Sequence, residues 1–409
     1  MRVSHAVLAA GCGLLLAGRA AAHSKDLHSF TGNGGDGAKP WANITVDPHG
    51  NLFGITFLGG DDSCSLGSGP GCGTVFETAA PGHGAHGWTT STIYTFEAGT
   101  DGGFPERPLT LDQHGALYGT TSTGRGNVFQ LTPPATNGGT WTFQHLYSFT
   151  GATDGALILG TNLLVIDGAV YGVTTTGGTS AACGGGCGTL FRLLPPAEGS
   201  TAWHHQRLIS FRGIDRGSAP LWVAGPDAAG NLYAAMSGGA GAIVSLTPPA
   251  GAGESWTDAV IYRFSGKHYG SAPTNVLLGT GGALFGIRGA DARGLVFELA
   301  PPASQGDPWT ETTAHQFQGR YSAPTSLAPG PNGSLAGISY GEVDYSDGAV
   351  WTLAPPASAG DPWTYKQVRW HGLPSTHPVG VVFGLHGNLY GVMNGGDTDD
   401  GAIFESTPP

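Results

Sequence analysis

Apolar and polar residues alternate along this chain in short runs that recur in a fixed order. Residues 115–149 read GALYGTTSTGRGNVFQLTPPATNGGTWTFQHLYSF, and the rest of the sequence consists of approximate copies of that stretch. Within one copy, residues 108–112 alternate, 116–121 carry Leu117 and Tyr118, 127–131 carry Val128 and Phe129, and 141–149 alternate again. A period of two over such short runs predicts β-strands, four to a copy. The links are a D-x-x-G turn, a glycine-rich loop and a T-P-P-A-x-x-G-G segment, whose two prolines remove ladder donors and end the third strand.

Three landmarks fix the number of copies. The leucine position of a G-x-L-[YF]-G step falls at Leu52, Leu117, Val170, Leu232, Leu284, Leu335 and Leu389, at spacings of 65, 53, 62, 52, 51 and 54. An apolar pair follows each glycine loop, at Val75-Phe76, Val128-Phe129, Leu190-Phe191, Ile243-Val244, Val296-Phe297, Val350-Trp351 and Ile403-Phe404. An aromatic closes each fourth strand, at Phe30, Phe96, Phe149, Phe211, Phe264, Phe317 and Trp370. Seven units of about 50–60 residues predict an all-β, seven-bladed β-propeller of four-stranded antiparallel blades, because a lone twisted sheet cannot bury both faces. The chain begins with a fourth strand alone, ahead of the first copy, and ends after the third strand of the last. Residues 27–30 (LHSF) are therefore predicted to complete the last blade beside 402–406, closing the ring and removing its exposed edges.

The run G-x-L-Y-G-T-T-x-G-G, then G-T-V-F and a W…Y-x-F strand, resembles the GloVer tandem repeat of bacterial extracellular choice-of-anchor proteins. The resemblance spans nearly all of the chain after residue 22. The copies at Leu117 and Val170 match best, and the sixth departs most, with Ala336 in the aromatic position. It implies export and a propeller-like array and fixes no reaction.

Composition narrows the setting. Gly 72 and Pro 28 among 409 residues would suggest low complexity, but here they recur at fixed turns between apolar strands. Arg2, an apolar run over 6–18 and Ala20-Ala21-Ala22 read as a secretory signal peptide over residues 1–22, leaving 23–409 as one propeller domain. Cys12, in L-A-A-G-C, is an alternative lipidation site, although the apolar run continues beyond it. Without Arg2 and Arg19 the chain has 15 basic and 29 acidic residues, a net charge of −14, and no basic cluster, which argues against nucleic acid as a partner. No later run is long enough for a membrane span. The reading is a monomer, extracellular or periplasmic, whose partner is an extracellular polysaccharide or protein.

Cys64 with Cys72, and Cys183 with Cys187, each fall inside one glycine loop, so an oxidising compartment predicts two local disulfides. The competing reading is a shared zinc site, against which stand the two-repeat separation and the absence of C-x2-C spacing. Asp397, Asp399 and Asp400, with Asp344 and Asp347, are the one Ca²⁺ candidate. They lack the twelve-residue loop signature and read more simply as turn formers, so no cofactor or metal site is assigned.

Residues common to the copies, such as Tyr118, Tyr171, Tyr233 and Tyr390, are expected to be blade packing. Departures from the repeat carry more information about function. On the face shared by the fourth-to-first and second-to-third loops they supply Arg216, His268, Tyr269, Arg320, Tyr321, His371 and His377, with Arg288, Arg293, Tyr340 and Tyr345. Arg216, Tyr269, Arg288, Arg320 and Tyr340 are the expected ligand contacts, in a non-catalytic propeller that binds a glycan or another extracellular partner. The alternative is a uronate-polysaccharide lyase, in which His268, Tyr321 and His371 would take the proton alpha to the carboxylate and protonate the leaving oxygen. No spacing enforces that set.

Overall fold

The computed structural model describes residues 24–64, 69–82, 87–136, 138–156, 161–213, 217–251, 253–265, 272–290, 293–304, 306–318, 323–339, 348–358, 360–368, 377–395 and 400–407. Seven antiparallel sheets follow one another, and consecutive strands are neighbours within each. Blade two, for example, runs Thr110–Leu111, Leu117–Thr121, Asn127–Thr132 and Thr142–Ser148. Blade seven takes its fourth strand from the chain's beginning, in the order His377–Phe383, Leu389–Asn394, Ala402–Ser406 and Ser24–Ser29. Ser24 pairs with Ser406 and Ser29 with Ala402, so the predicted closure is present.

The motif residues meet between blades, which explains why they travel together in the sequence. In most blades the aromatic after the fourth strand packs on the apolar-pair aromatic of the next: Phe96 on Phe129 at 5.2 Å, Phe149 on Phe191 at 5.0 Å, Phe264 on Phe297 at 5.1 Å. Phe30 does the same to Phe76 at 5.2 Å and so seals the ring. Beneath each third-strand ring lies the glycine of the L-Y-G step. A Cβ on Gly54, Gly119, Gly172, Gly286 or Gly391 would overlap the ring of Phe76, Phe129, Phe191, Phe297 or Phe404. Blade four has Ala234 in this place, and the facing residue is Val244, small enough to leave room for the extra methyl. Tyr118, Tyr171, Tyr233 and Tyr390 are buried, as expected of packing residues.

A second contact repeats at most blade boundaries. The glycine before the third strand lies against the proline that begins the next blade: Gly73 on Pro105, Gly188 on Pro220, Gly241 on Pro273, and Gly401 on Pro40 across the closure. The residue before that proline donates its N–H backward, from Phe104 to the Cys72 carbonyl at 2.8 Å, Ala219 to Cys187 at 3.0 Å and Lys39 to Asp400 at 2.7 Å. Both disulfides, Cys64–Cys72 and Cys183–Cys187, are formed, and each staples a loop on which the following blade leans. Among the described residues no helix is long and apolar enough to cross a membrane, and no group of three or more His, Cys, Asp or Glu is placed to hold a metal ion.

Stacked rings join the outer strands. Tyr147 lies on His205 at 4.5 Å and His315 on Tyr365 at 4.0 Å, with interplanar angles of 13° and 3°. Burial lowers both imidazoles from their ordinary value; around His205, Asp154 opposes the shift while His204 and Arg207 add to it. The folded state thus disfavours the imidazolium, and the unfolded chain takes up protons first. This contribution to stability is whole above the unfolded value, about 6.5, and is lost as pH falls from there to the depressed folded values. Thermal denaturation should therefore occur at lower temperature at about pH 5 than at about pH 7. A His205→Phe, His315→Phe double variant, which keeps the stacks without titrating, should show a shallower decline, and an unchanged slope would exclude these two histidines.

Candidate functional site

The first strand of each blade lines the central channel, as their mutual hydrogen bonds show. Thr45 Oγ1 donates to the Leu109 carbonyl at 2.5 Å and Thr110 Oγ1 to the Leu163 carbonyl at 2.7 Å. The Asn162 side chain exchanges two bonds with the Val223 backbone, at 2.9 and 3.0 Å. Just before each strand's buried apolar residue comes one ring position per blade: Asn43, Pro108, Asn162, Trp222, Asn275, Ser326 and Gly380. Ser326 Oγ donates to Asn43 Oδ1 at 2.9 Å, spanning blade seven, and only a glycine at 380 leaves space for the Asn43 side chain to pass.

One step toward the loop face, blades four to seven each have a single bulged residue after the proline: Leu221, Thr274, Thr325 and Val379. Blades one and two have two, Trp41-Ala42 and Glu106-Arg107, and there the inner strand is interrupted. The sequence predicts the first strand of blade two over 108–112; only Thr110–Leu111 pairs, because the extra residue and the donor-less Pro108 break the ladder. Bulges re-aim side chains, and here they turn Trp41 and Arg107 toward the channel.

The result is a cavity of about 600 Å³ at the mouth, lined by Lys39, Trp41, Arg107, Thr325, His377 and Asn394 among others. Trp41 is 47% exposed, one face resting on Phe57 at 5.4 Å, while the other large aromatics among the described residues are buried or half-buried. Below the mouth, sharing Trp41, Arg107, Thr325 and Val379, a second cavity of about 90 Å³ reaches Asn43, Glu106, Trp222, Asn275 and Ser326. Arg107 Nε is sealed from solvent and has no hydrogen-bond partner. Burial lowers this guanidinium from its ordinary value, and the neighbouring Glu106 carboxylate partly opposes the shift. Asn275 is 5% exposed, and its Oδ1 also lacks a partner.

Of the residues expected from the sequence, His377 lies at this mouth. Arg288 lies in the seam between blades four and five: its Nη2 pairs with Glu311 Oε1 at 2.9 Å, Tyr262 donates to the same carboxylate at 2.7 Å, and the guanidinium stands 5.2 Å from the Phe264 ring centre. Arg216, His268, Tyr269, Arg320, Tyr321, Tyr340, Tyr345 and His371 lie outside the described residues, as do Asp344, Asp347, Asp397, Asp399, Cys12 and the expected signal segment. The side chain of Arg293 is likewise outside the description. Lys39, Trp41, Arg107 and Asn394 were not singled out by sequence. The signal that could have found the middle two is the longer spacing from proline to apolar residue in PWANI and PERPL than in PLWV or PTNV.

Solved structures with the same architecture are distant in sequence. The chain is similar to virginiamycin B lyase from Staphylococcus aureus solved with quinupristin, at 12% identity and a TM-score of 0.57, covering 95% of this chain and 99% of that one. A streptogramin B lyase matches at 11% identity and a TM-score of 0.58, covering 95% and 98%. YCF48 from Cyanidioschyzon merolae matches at 11% and 0.51, covering 94% and 98%. At such identities the likeness concerns the fold alone. No curated protein sequence matches the chain. The Gloeobacter/Verrucomicrobia repeat profile matches residues 9–185 and 166–404, and with seven blades built on that repeat the chain belongs to the Gloeobacter/Verrucomicrobia repeat family.

Proposed function

We propose that this protein is an exported propeller that binds an acidic saccharide at the mouth of its central channel. The observation that carries the reading is charge against background. A chain of net charge −12 brings Lys39 and Arg107 together with an exposed tryptophan in one cavity. A guanidinium and an ammonium suit a carboxylate, and an indole face suits the apolar side of a sugar ring. Two disulfides and an apolar leader with an A-x-A pattern support export. Retention on immobilised polyuronate, with affinity measured by calorimetry, tests the reading. Arg107→Gln should weaken binding roughly 10- to 100-fold, the equivalent of one charge-assisted hydrogen bond of about 1.5–3 kcal/mol. Equal affinity of wild type and variant would overturn it.

The second reading, β-elimination from a uronate, draws on His377 standing at the same mouth as Arg107 and Lys39, an imidazole beside a carboxylate clamp. Under it, incubation with polyuronate generates the ultraviolet absorbance of an unsaturated uronate, and His377→Ala abolishes the signal. A flat trace with retained binding favours the non-catalytic reading.

A further inference from the structure

Resting on the acidic-saccharide reading, we infer that the site takes the end of a uronate chain, inserted carboxylate first, and does not clamp the chain along its length. The channel narrows from about 600 Å³ at the mouth to about 90 Å³ below it, the space of roughly three water molecules. Trp222, the largest of the ring residues, and the Asn43–Ser326 bond across blade seven stand at this narrow level. A polymer gripped in its middle needs two ways out, whereas a well that narrows to this size receives one terminus.

The lining of this narrow level states what that terminus must carry. Arg107 Nε–H is a donor without an acceptor, and Asn275 Oδ1 is an acceptor without a donor, both sealed in the wall. Buried polar groups left unpaired are costly, so the matching ligand presents an anionic oxygen to the first and a hydroxyl to the second, each side chain turning out of the wall to meet it. A carboxylate with a hydroxyl nearby, as at the non-reducing end of a uronate, has both. Glu106 borders the same small cavity, accepts a hydroxyl in its turn and repels a dianion, so inorganic phosphate fits poorly.

Calorimetry with a graded series of oligouronates and the full-length protein tests this. The expected result is one protein per chain at every length, with affinity per chain unchanged by length, lost when the terminal carboxylate is reduced to an alcohol, and not competed by inorganic phosphate. Asn275→Leu, similar in volume and without the acceptor, should bind about tenfold more weakly while its melting temperature shows it folded. Protein bound in proportion to chain length, still dependent on Arg107, overturns end-on insertion and leaves the acidic-saccharide reading standing. Binding that ignores Arg107 at every length, or none, overturns both.

Discussion

Deletion of residues 24–30 is expected to abolish the folded propeller. The strand Ser24–Ser29 pairs along the whole of Ala402–Ser406, Phe30 N–H donates to the Gly401 carbonyl at 2.9 Å, and Lys25 pairs with Glu405 at 2.6 Å. Phe30 is fully buried and covers Phe76 of blade one, so its loss opens the seam as well as the edge. Truncating one such phenylalanine to alanine costs about 3–5 kcal/mol. Removing the paired strand with it leaves little of a net stability of ~5–15 kcal/mol, and the bared third strand becomes a template for association. Size-exclusion chromatography should show aggregate for the deletion and the wild-type elution volume for Phe30→Ala, the latter less stable by about 3–5 kcal/mol in denaturant titration. A deletion variant that melts like the wild type would mean that the ring does not depend on its terminal strand.

The next largest effect is expected where the repeat makes its own compensating exchange. Gly119→Ala pushes a methyl into the Phe129 ring and toward Leu109, and Val244→Phe pushes a ring onto the Ala234 methyl. Each should cost about 1–3 kcal/mol, as overpacking of a close-packed core does. Adding Ala234→Gly to Val244→Phe recreates the arrangement of the other blades and should recover most of the loss. Denaturant titration of the four members of that cycle should give a coupling of ~1–3 kcal/mol. Additive losses would show that the glycine and the ring are independent requirements, contrary to their contact in blade two.

Much of this architecture was legible in the sequence because it repeats. The L-Y-G glycine, the apolar pair and the closing aromatic recur in order because they touch one another in each seam, so a contact made across blades appears as a pattern along the chain. A lone fourth strand ahead of the first copy, and a last copy without one, disclosed the closure. The cysteines were legible for a similar reason, since each pair lies within one loop, at separations of 8 and 4.

The candidate site was not legible in the same way. Departures from the repeat directed attention to blades four to seven, and Arg288, one of those departures, lies in a seam with Glu311 and Tyr262. Arg107 and Trp41 came from blades whose loops looked regular, and only an extra residue at the inner-strand bulge marked them. Repetition determines what every blade must do to pack on the next, so the sequence by itself determined the strands, their number, their closure and the disulfides. What gathers at the axis depends on single residues from different blades, with Lys39 and His377 hundreds of positions apart, brought together only when the ring shuts. No local periodicity records that convergence, and the tertiary structure alone decided it.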